Sequence, residues 1–304
     1  MLSYQHSYHA GNHADILKHL VLCFVLGSLK KKDKPFTYFD THSGSGLYDL
    51  FDNRSCKTGE AERGIKRLFE HKNDFLSDSF KDEISGSHHL VSDYLSLTAS
   101  YLSQNVYPGS PEIARALLRK EDFLVLSELH PREIENLREN LQKNPFSKAE
   151  CENIQIHHRN GFEMLNALTP PKIKRGAVLI DPSYEESADY TDVAKTICAV
   201  NKKWQNGIIM LWYPLLAHRQ TEINQMLSAI EDGTKGVNPN VELCRFELCV
   251  APKDSHKEMP LKAYEQSEKN PPRLYGSGMF VINAPWNLKE EVESTISMLE
   301  KILS

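Results

Sequence analysis

Residues 176–184 read Gly-Ala-Val-Leu-Ile-Asp-Pro-Ser-Tyr. A run apolar enough for a strand buried on both faces ends on a carboxylate, a proline and an aromatic ring. Proline cannot continue a central strand and aspartate favours turns, so the pattern suits an ordinary strand-to-loop junction. It also suits the methylation of a planar amine. The exocyclic amine of adenine is a poor nucleophile because its lone pair is delocalised into the ring. A catalyst must accept hydrogen bonds from that amine and draw its nitrogen toward tetrahedral geometry. Asp181 and the backbone carbonyl of Pro182 supply two acceptors, and Tyr184 a ring on which an extruded base can stack. Held this way, the amine stands in line with an electrophilic methyl group.

Around this stretch, short apolar runs at 35–40, 123–127, 154–157, 207–212 and 278–282 predict further strands, and helical patterns fill most of the gaps. The first helix starts near Asn12 and Asp15, with Ile16, Leu20 and Phe24 on one face. Alternation of this kind predicts an α/β fold with a mostly parallel sheet covered on both faces. Gly44 and Gly46 follow the first strand and allow a tight turn close to a ligand. The acid that grips a ribose normally lies about 20 residues past such a turn. Here the first candidate, Glu128, lies 82 residues beyond Gly46. We therefore expect an inserted helical subdomain at 51–107, with apolar faces at Ile65, Leu68 and Phe69 and at Leu90, Tyr94, Leu97 and Tyr101. Residues 1–50 and 108–304 then form the main domain, re-entered at Pro108 and Pro111.

No third glycine completes a pyrophosphate-binding turn. A cofactor without phosphates fits better. S-adenosylmethionine needs a turn for its methionine part, a carboxylate for its ribose and polar groups around its adenine. Asp40, the Gly44/Gly46 turn, Glu128 and Asn160-Gly161 supply these at the carboxyl edge of adjacent strands. His6, His9 and His13 have helical spacing, but no carboxylate or cysteine completes a ligand set in sequence, so no metal is expected.

Six cysteines without metal or redox spacing indicate reduced thiols. With no apolar leader and no membrane-length run, a soluble cytoplasmic protein is expected. The net charge of -5 argues against a nucleic-acid partner. Basic residues nevertheless cluster at Lys30, Lys31, Lys32 and Lys34, at Arg115, Arg119 and Lys120, and at Lys172, Lys174 and Arg175.

Taken together, the chain resembles the bacterial 23S ribosomal RNA adenine-N6 methyltransferases of the J type from residue 1 to Trp286. The most specific match is Ser-Tyr-Gln-His-Ser-Tyr-His-Ala-Gly-Asn-His-Ala-Asp-Ile-Leu-Lys-His at 3–19. Asp40-Thr-His-Ser-Gly-Ser-Gly, Tyr107-Pro-Gly-Ser-Pro, Ser127-Glu-Leu-His-Pro, Asp181-Pro-Ser-Tyr and Leu211-Trp-Tyr-Pro follow in order. The resemblance implies a seven-stranded Rossmann-like methyltransferase with S-adenosylmethionine as methyl donor and a 23S RNA substrate, unassembled, acting as a monomer without a membrane. It places His19, His42, Ser110, Glu128, Asn160, Gly161 and Asp181 on the cofactor, and Asp181 and Tyr184 on the target adenine. Tyr4, His6 and Lys18 would close over the substrate.

Residues 1–11 have few aliphatic side chains, so we expect them to order only on binding and to offer rings for stacking and donors for phosphate. Loss of Lys18 is accordingly expected to lower the salt dependence of RNA binding. The chain departs from the family at Ser183, where the pattern has proline, and at Asn160, where it has an acid. An RNA-binding protein with impaired catalysis, or an adenine-N6 methyltransferase acting on DNA, stays open as an alternative. The polar stretch 253–275 reads as a long surface loop.

Overall fold

The computed structural model describes residues 6–73, 88–143, 151–252 and 274–304. Tyr4 and nearly all of the 253–275 stretch lie outside the described residues. In chain order the elements are α1 (His13–Lys30), β1 (Thr37–Asp40), β2 (Leu47–Asp49), α2 (Asn53–Thr58), a wide turn (Glu62–Lys66) running into α3 (Arg67–Glu70), α4 (His88–Leu102) and β3 (Val106–Pro108). There follow α5 (Ser110–Leu117), β4 (Phe123–Glu128), α6 (Pro131–Gln142), β5 (Asn153–His158), α7 (Gly161–Leu168), β6 (Gly176–Ile180), α8 (Ser187–Lys203) and β7 (Ile208–Leu215). The chain ends with α9 (Gln220–Lys235), β8 (Leu243–Cys249), β9 (Gly276–Ile282) and α10 (Leu288–Leu303).

Seven strands form one sheet in the order β5-β4-β1-β6-β7-β9-β8. All neighbours are parallel except β9, which runs antiparallel between β7 and β8. This is the mostly parallel, Rossmann-like sheet that was expected. The six predicted strands are all present. The seventh, β8, escaped prediction because Leu-Cys-Arg-Phe-Glu-Leu-Cys alternates at the sheet edge instead of forming an apolar run. Strand order reverses at β1, with β4 on one side and β6 on the other, so their carboxyl ends flank a crevice.

One apolar core lies on each face of the sheet. The first helix begins as expected, with Asn12 accepting from the backbone N–H of Asp15 at 2.9 Å. It is buried around most of its circumference, and Phe24 is only half-buried. The reason is that α1 packs on β9 and, on its other sides, against α4, α5 and α10. Ile65, Leu68, Leu90 and Tyr94, from the stretch expected to be an insertion, contribute to the same core as α1. Strands β2 and β3 pair antiparallel, Leu47 opposite Pro108, so the chain leaves and re-enters at neighbouring positions.

On the other face Trp204 is 1% exposed, its ring edge-on to Phe39 at 5.8 Å and its indole N–H donating to the carbonyl of Lys174 at 2.5 Å. Trp204→Ala is expected to cost about 3–5 kcal/mol of stability, read as a lower urea midpoint with an unchanged slope.

Candidate active site

A cavity of about 370 Å³ opens at the carboxyl ends of β1, β4 and β6. Its walls come from His6 and Lys18, from the Thr41–Gly44 turn and Tyr48, from Ser110, Glu128 and Glu133, and from Asn160, Gly161, Asp181 and Pro182. Its size is typical of a small-molecule site, roughly 300–1,000 Å³.

Each wall has a local cause. Gly161 starts α7 against the end of β1, where a Cβ would fall 2.1 Å from the carbonyl of Thr41. Gly44, at φ +56°, turns its backbone N–H onto Glu128 Oε2 at 2.7 Å. Glu128 Oε1 accepts from the His130 N–H at 2.7 Å. Burial raises the pKa of this carboxyl against those two bonds. Each of its oxygens has a second lone pair for a hydroxyl. The Asn160 side-chain oxygen caps α7, accepting from Phe162 N at 2.9 Å and Glu163 N at 3.1 Å, which leaves its NH2 to donate. His42 is held by Thr41 at 2.8 Å and lies edge-on to Phe162, and burial lowers its pKa to about 4, so the ring is neutral.

Asp181 follows β6 with its side chain 15% exposed. Its Oδ2 meets the Lys18 ammonium at 2.5 Å, and Lys18 reaches back to Asp15 Oδ1 at 2.8 Å. Burial opposes the lysine charge, but the two carboxylates outweigh it and raise its pKa well above the usual range. Burial likewise opposes ionisation of Asp15, yet His6 and Lys18 hold its pKa well below normal. His6 joins the chain at 2.9 Å from Asp15 Oδ2. Lys18 is thus 4% exposed and enclosed between carboxylates, so it is not the phosphate donor expected from sequence. Residues 6–11 pack against α2. Ser7 and Ala10 are buried, and Ser55 and Thr58 donate to the carbonyls of Ser7 and Tyr8.

Four other candidates stand outside the cavity lining. Asp40 is fully buried beneath it, bonded by Tyr38 at 3.2 Å, by the His42 N–H at 3.3 Å and by Ser110. Gly46, at φ +74°, accepts at its carbonyl from the Gly109 N–H at 2.8 Å and so joins the turn to the start of α5. His19 is buried, its Nδ1 2.8 Å from the Tyr107 hydroxyl and its Nε2 without a partner. Tyr184 is 6% exposed and holds φ +52°, a costly conformation for a bulky residue. Its hydroxyl donates to the Trp212 carbonyl at 3.0 Å, and its ring lies 4.7 Å from that of Tyr190. Stacking on a base requires this ring to leave those contacts.

Sequence reading missed Glu133. It is 3% exposed, lines the cavity, accepts from Ser45 at one oxygen and has no partner at the other. Its signal was position, in the first turn of the helix that follows Glu128 at the carboxyl edge. The histidines meet carboxylates that are remote in sequence: His9 lies 3.1 Å from Glu60, which also accepts from Asn12 at 2.9 Å. Among the described residues no three metal-ligating side chains are grouped to hold an ion. The cavity instead fits S-adenosylmethionine, because Glu128 and the orphan Glu133 oxygen offer acceptors, the Asn160 amide a donor and neutral His42 a ring.

A model of the family described as "Ribosomal RNA large subunit methyltransferase D, RlmJ" matches residues 33–304. The chain belongs to this family. It is 38% identical over 304 residues to "Ribosomal RNA large subunit methyltransferase J" of Escherichia coli (strain K12), covering 100% of this chain and 94% of that protein. The Haemophilus influenzae (strain ATCC 51907 / DSM 11121 / KW20 / Rd) protein of the same name is 37% identical over 303 residues, with the same coverage. The crystal structure of a Legionella pneumophila protein superposes with a TM-score of 0.75 at 30% identity, covering 97% of this chain and 94% of that one. This enzyme is therefore an rRNA methyltransferase, and the inference from net charge against a nucleic-acid partner is overturned. Net charge averages over the surface, whereas RNA meets a local one.

Burial raises the pKa of Asp40 to about 6, against the hydrogen bond from Ser110 and the Lys18 charge. A carboxyl with a raised folded pKa stabilises the fold below its unfolded value of 3.8, and that contribution is lost as pH rises through about 6. From pH 4 to pH 7, the stability of the wild type relative to Asp40→Asn is expected to fall by about 2–3 kcal/mol. Urea titrations of the two proteins at each pH measure the difference.

Proposed function

We propose that the enzyme methylates N6 of an adenine in 23S ribosomal RNA. The observation that carries this reading is Asp181 beside Pro182 on the cavity wall at the point where strand order reverses. S-adenosylmethionine, when bound, supplies an electrophilic methyl group on a sulfonium. Glu128 and Glu133 would hold its hydroxyl and amino groups, Asn160 and His42 its adenine, and Ser110, Gly44 and Gly161 its passage along the turn.

Lys18 occupies Asp181 Oδ2, and Oδ1 is left to accept from an amine N–H. The Pro182 carbonyl accepts from no donor among the described residues and takes the second N–H. Two acceptors on one nitrogen localise its lone pair, and the negative carboxylate favours the positive charge that develops there. Asp181 then receives a proton of the methylated amine or passes it to solvent. His6 and Lys18 act through Asp15 and Asp181 in this reading, fixing the carboxylate in place, and Tyr184 shapes the turn until a base arrives. Residues 51–107 are an insertion into a main domain of 1–50 and 108–304, tied at its base by β2 and β3. In this reading the RNA is taken before assembly, by a cytoplasmic monomer. No helix of the described residues is long and apolar enough to cross a membrane.

Asp181→Ala is expected to lower methyl transfer to 23S RNA about 100-fold to 1,000-fold with the fold retained by circular dichroism. Labelled S-adenosylmethionine with unmodified 23S RNA, and with duplex DNA as control, measures it, and activity within tenfold of wild type would remove Asp181 from the chemistry. Ser183→Pro should leave the rate equal or mildly higher. Inactivity of both forms would instead favour RNA binding without catalysis.

Glu128→Ala and Glu133→Gln are each expected to weaken S-adenosylmethionine binding by about 1.5–3 kcal/mol, the worth of a charge-assisted hydrogen bond. Calorimetric titration reads both dissociation constants, and an unchanged value strikes that residue from the cofactor site.

A further inference from the structure

Positive charge is concentrated on the edge of the sheet opposite the cavity. Residues 30–34, 119–122, 172–175 and 202–203 hold eleven lysines and arginines against three acids, in a chain of net charge -5. Topology brings them together. They lie at the loops leading into β1, β4 and β6 and at the last turns of α1 and α8, all on the amino edge of adjacent strands. Neighbouring strands are about 4.8 Å apart, so these loops form one continuous band.

The band is stitched rigidly. Arg119 donates to the carbonyls of Lys32 at 3.4 Å and Lys34 at 3.0 Å. Arg175 donates to Lys34 at 2.7 Å and also to Leu29. Both guanidinium groups lie against the ring of Phe36, at 5.8 and 5.7 Å. The two arginines are thus used as scaffold. The lysines between them point away from such duty: Lys31, Lys32, Lys34, Lys172 and Lys174 are exposed and form no ion pair with any described residue.

An aromatic ring stands at the same edge. Because β9 is antiparallel, its end lies beside the start of β7, and Asn283 clamps it there by donating to the carbonyls of Gln205 and Gly207, both at 2.8 Å. Three residues on, Trp286 is 87% exposed, on the edge where α8 ends with the exposed Lys202 and Lys203. Of the three tryptophans it alone is exposed, Trp204 being buried and Trp212 half-buried.

We propose that this band is a second RNA-binding surface, which holds the phosphate backbone of the substrate away from the target nucleotide while Trp286 stacks on an unpaired base. Unpaired lysines along a braced edge, on a protein of opposite net charge, suit a polyanion, and an exposed indole on the same edge suits one that carries bases. The proposal rests on the reading of the substrate as 23S RNA, a chain long enough to reach around the domain from the cavity.

The test uses the full chain carrying Lys31→Glu, Lys172→Glu and Lys174→Glu together, and separately Trp286→Ala. KM and kcat are measured on a whole 23S transcript and on a short fragment that still accepts the methyl group. The salt dependence of binding to the transcript is measured alongside. The triple variant is expected to raise KM about tenfold on the transcript and to lower the slope of log Kd against log salt by about 2–3, since each phosphate contact contributes about 0.7–0.9. Its kcat, and its KM on the fragment, should stay unchanged. RNA-dependent quenching of tryptophan fluorescence should disappear in Trp286→Ala.

Unchanged KM and slope on the transcript would overturn the proposal, as would an equal loss on the fragment. Loss of binding to phosphatidylserine vesicles with RNA binding intact would also overturn it, by assigning the band to a membrane surface. Absence of RNA methylation by the unaltered protein would instead sink the functional reading, and the salt slope of RNA binding alone would then decide the surface.

Discussion

The ammonium of Lys18, shut between Asp15 and Asp181, ties the first helix to the carboxylate that follows the central strand β6. A buried charge of this kind stays only where its partners are held in position, and losing one partner costs about 3–5 kcal/mol. The rest of the molecule holds them. The capping turn at Asn12 sets the start of α1 and so the direction of Asp15, and His6 closes the other side of that carboxylate. The sheet packs on one side of α1 and α4, α5 and α10 on the others, which is why its apolar residues extend around the cylinder instead of forming one stripe.

Around this tie, the acids of the carboxyl edge divide into two kinds. Asp40 is consumed by the hydrogen bonds of its own strand and turn, and it shapes the floor without touching the cavity. Glu128 and Glu133 reach the cavity with acceptor capacity to spare. The difference follows from what each carboxylate faces. Asp40, at the end of β1, is turned into protein and bonded by Tyr38, the His42 N–H and Ser110, whereas Glu128 at the end of β4 and Glu133 in the first turn of α6 face the crevice.

Much of this was legible in the sequence. Apolar runs gave six of seven strands, and Asp-Pro after β6 together with the glycine turn after β1 pointed to the edge where the cavity lies. What the sequence hid was burial and partnership. Lys18 reads as a free cation because its two carboxylates are three and 163 residues away. Tyr184 reads as an open stacking ring, yet a hydrogen bond to Trp212, 28 residues on, folds it inward. Net charge misled for a related reason, since it averages over a surface of which RNA meets only a part.

Strands β2 and β3, three residues each, bring the two ends of the 50–105 stretch to within a single ladder. A segment whose ends already touch behaves as a closed loop, and doubling the length of such a loop adds only about 0.6 kcal/mol of closure entropy. The helices between the strands are held along their length as well, since Ile65, Leu68, Leu90 and Tyr94 share the core of α1, so changes in loop length fall most cheaply where the stretch leaves that core.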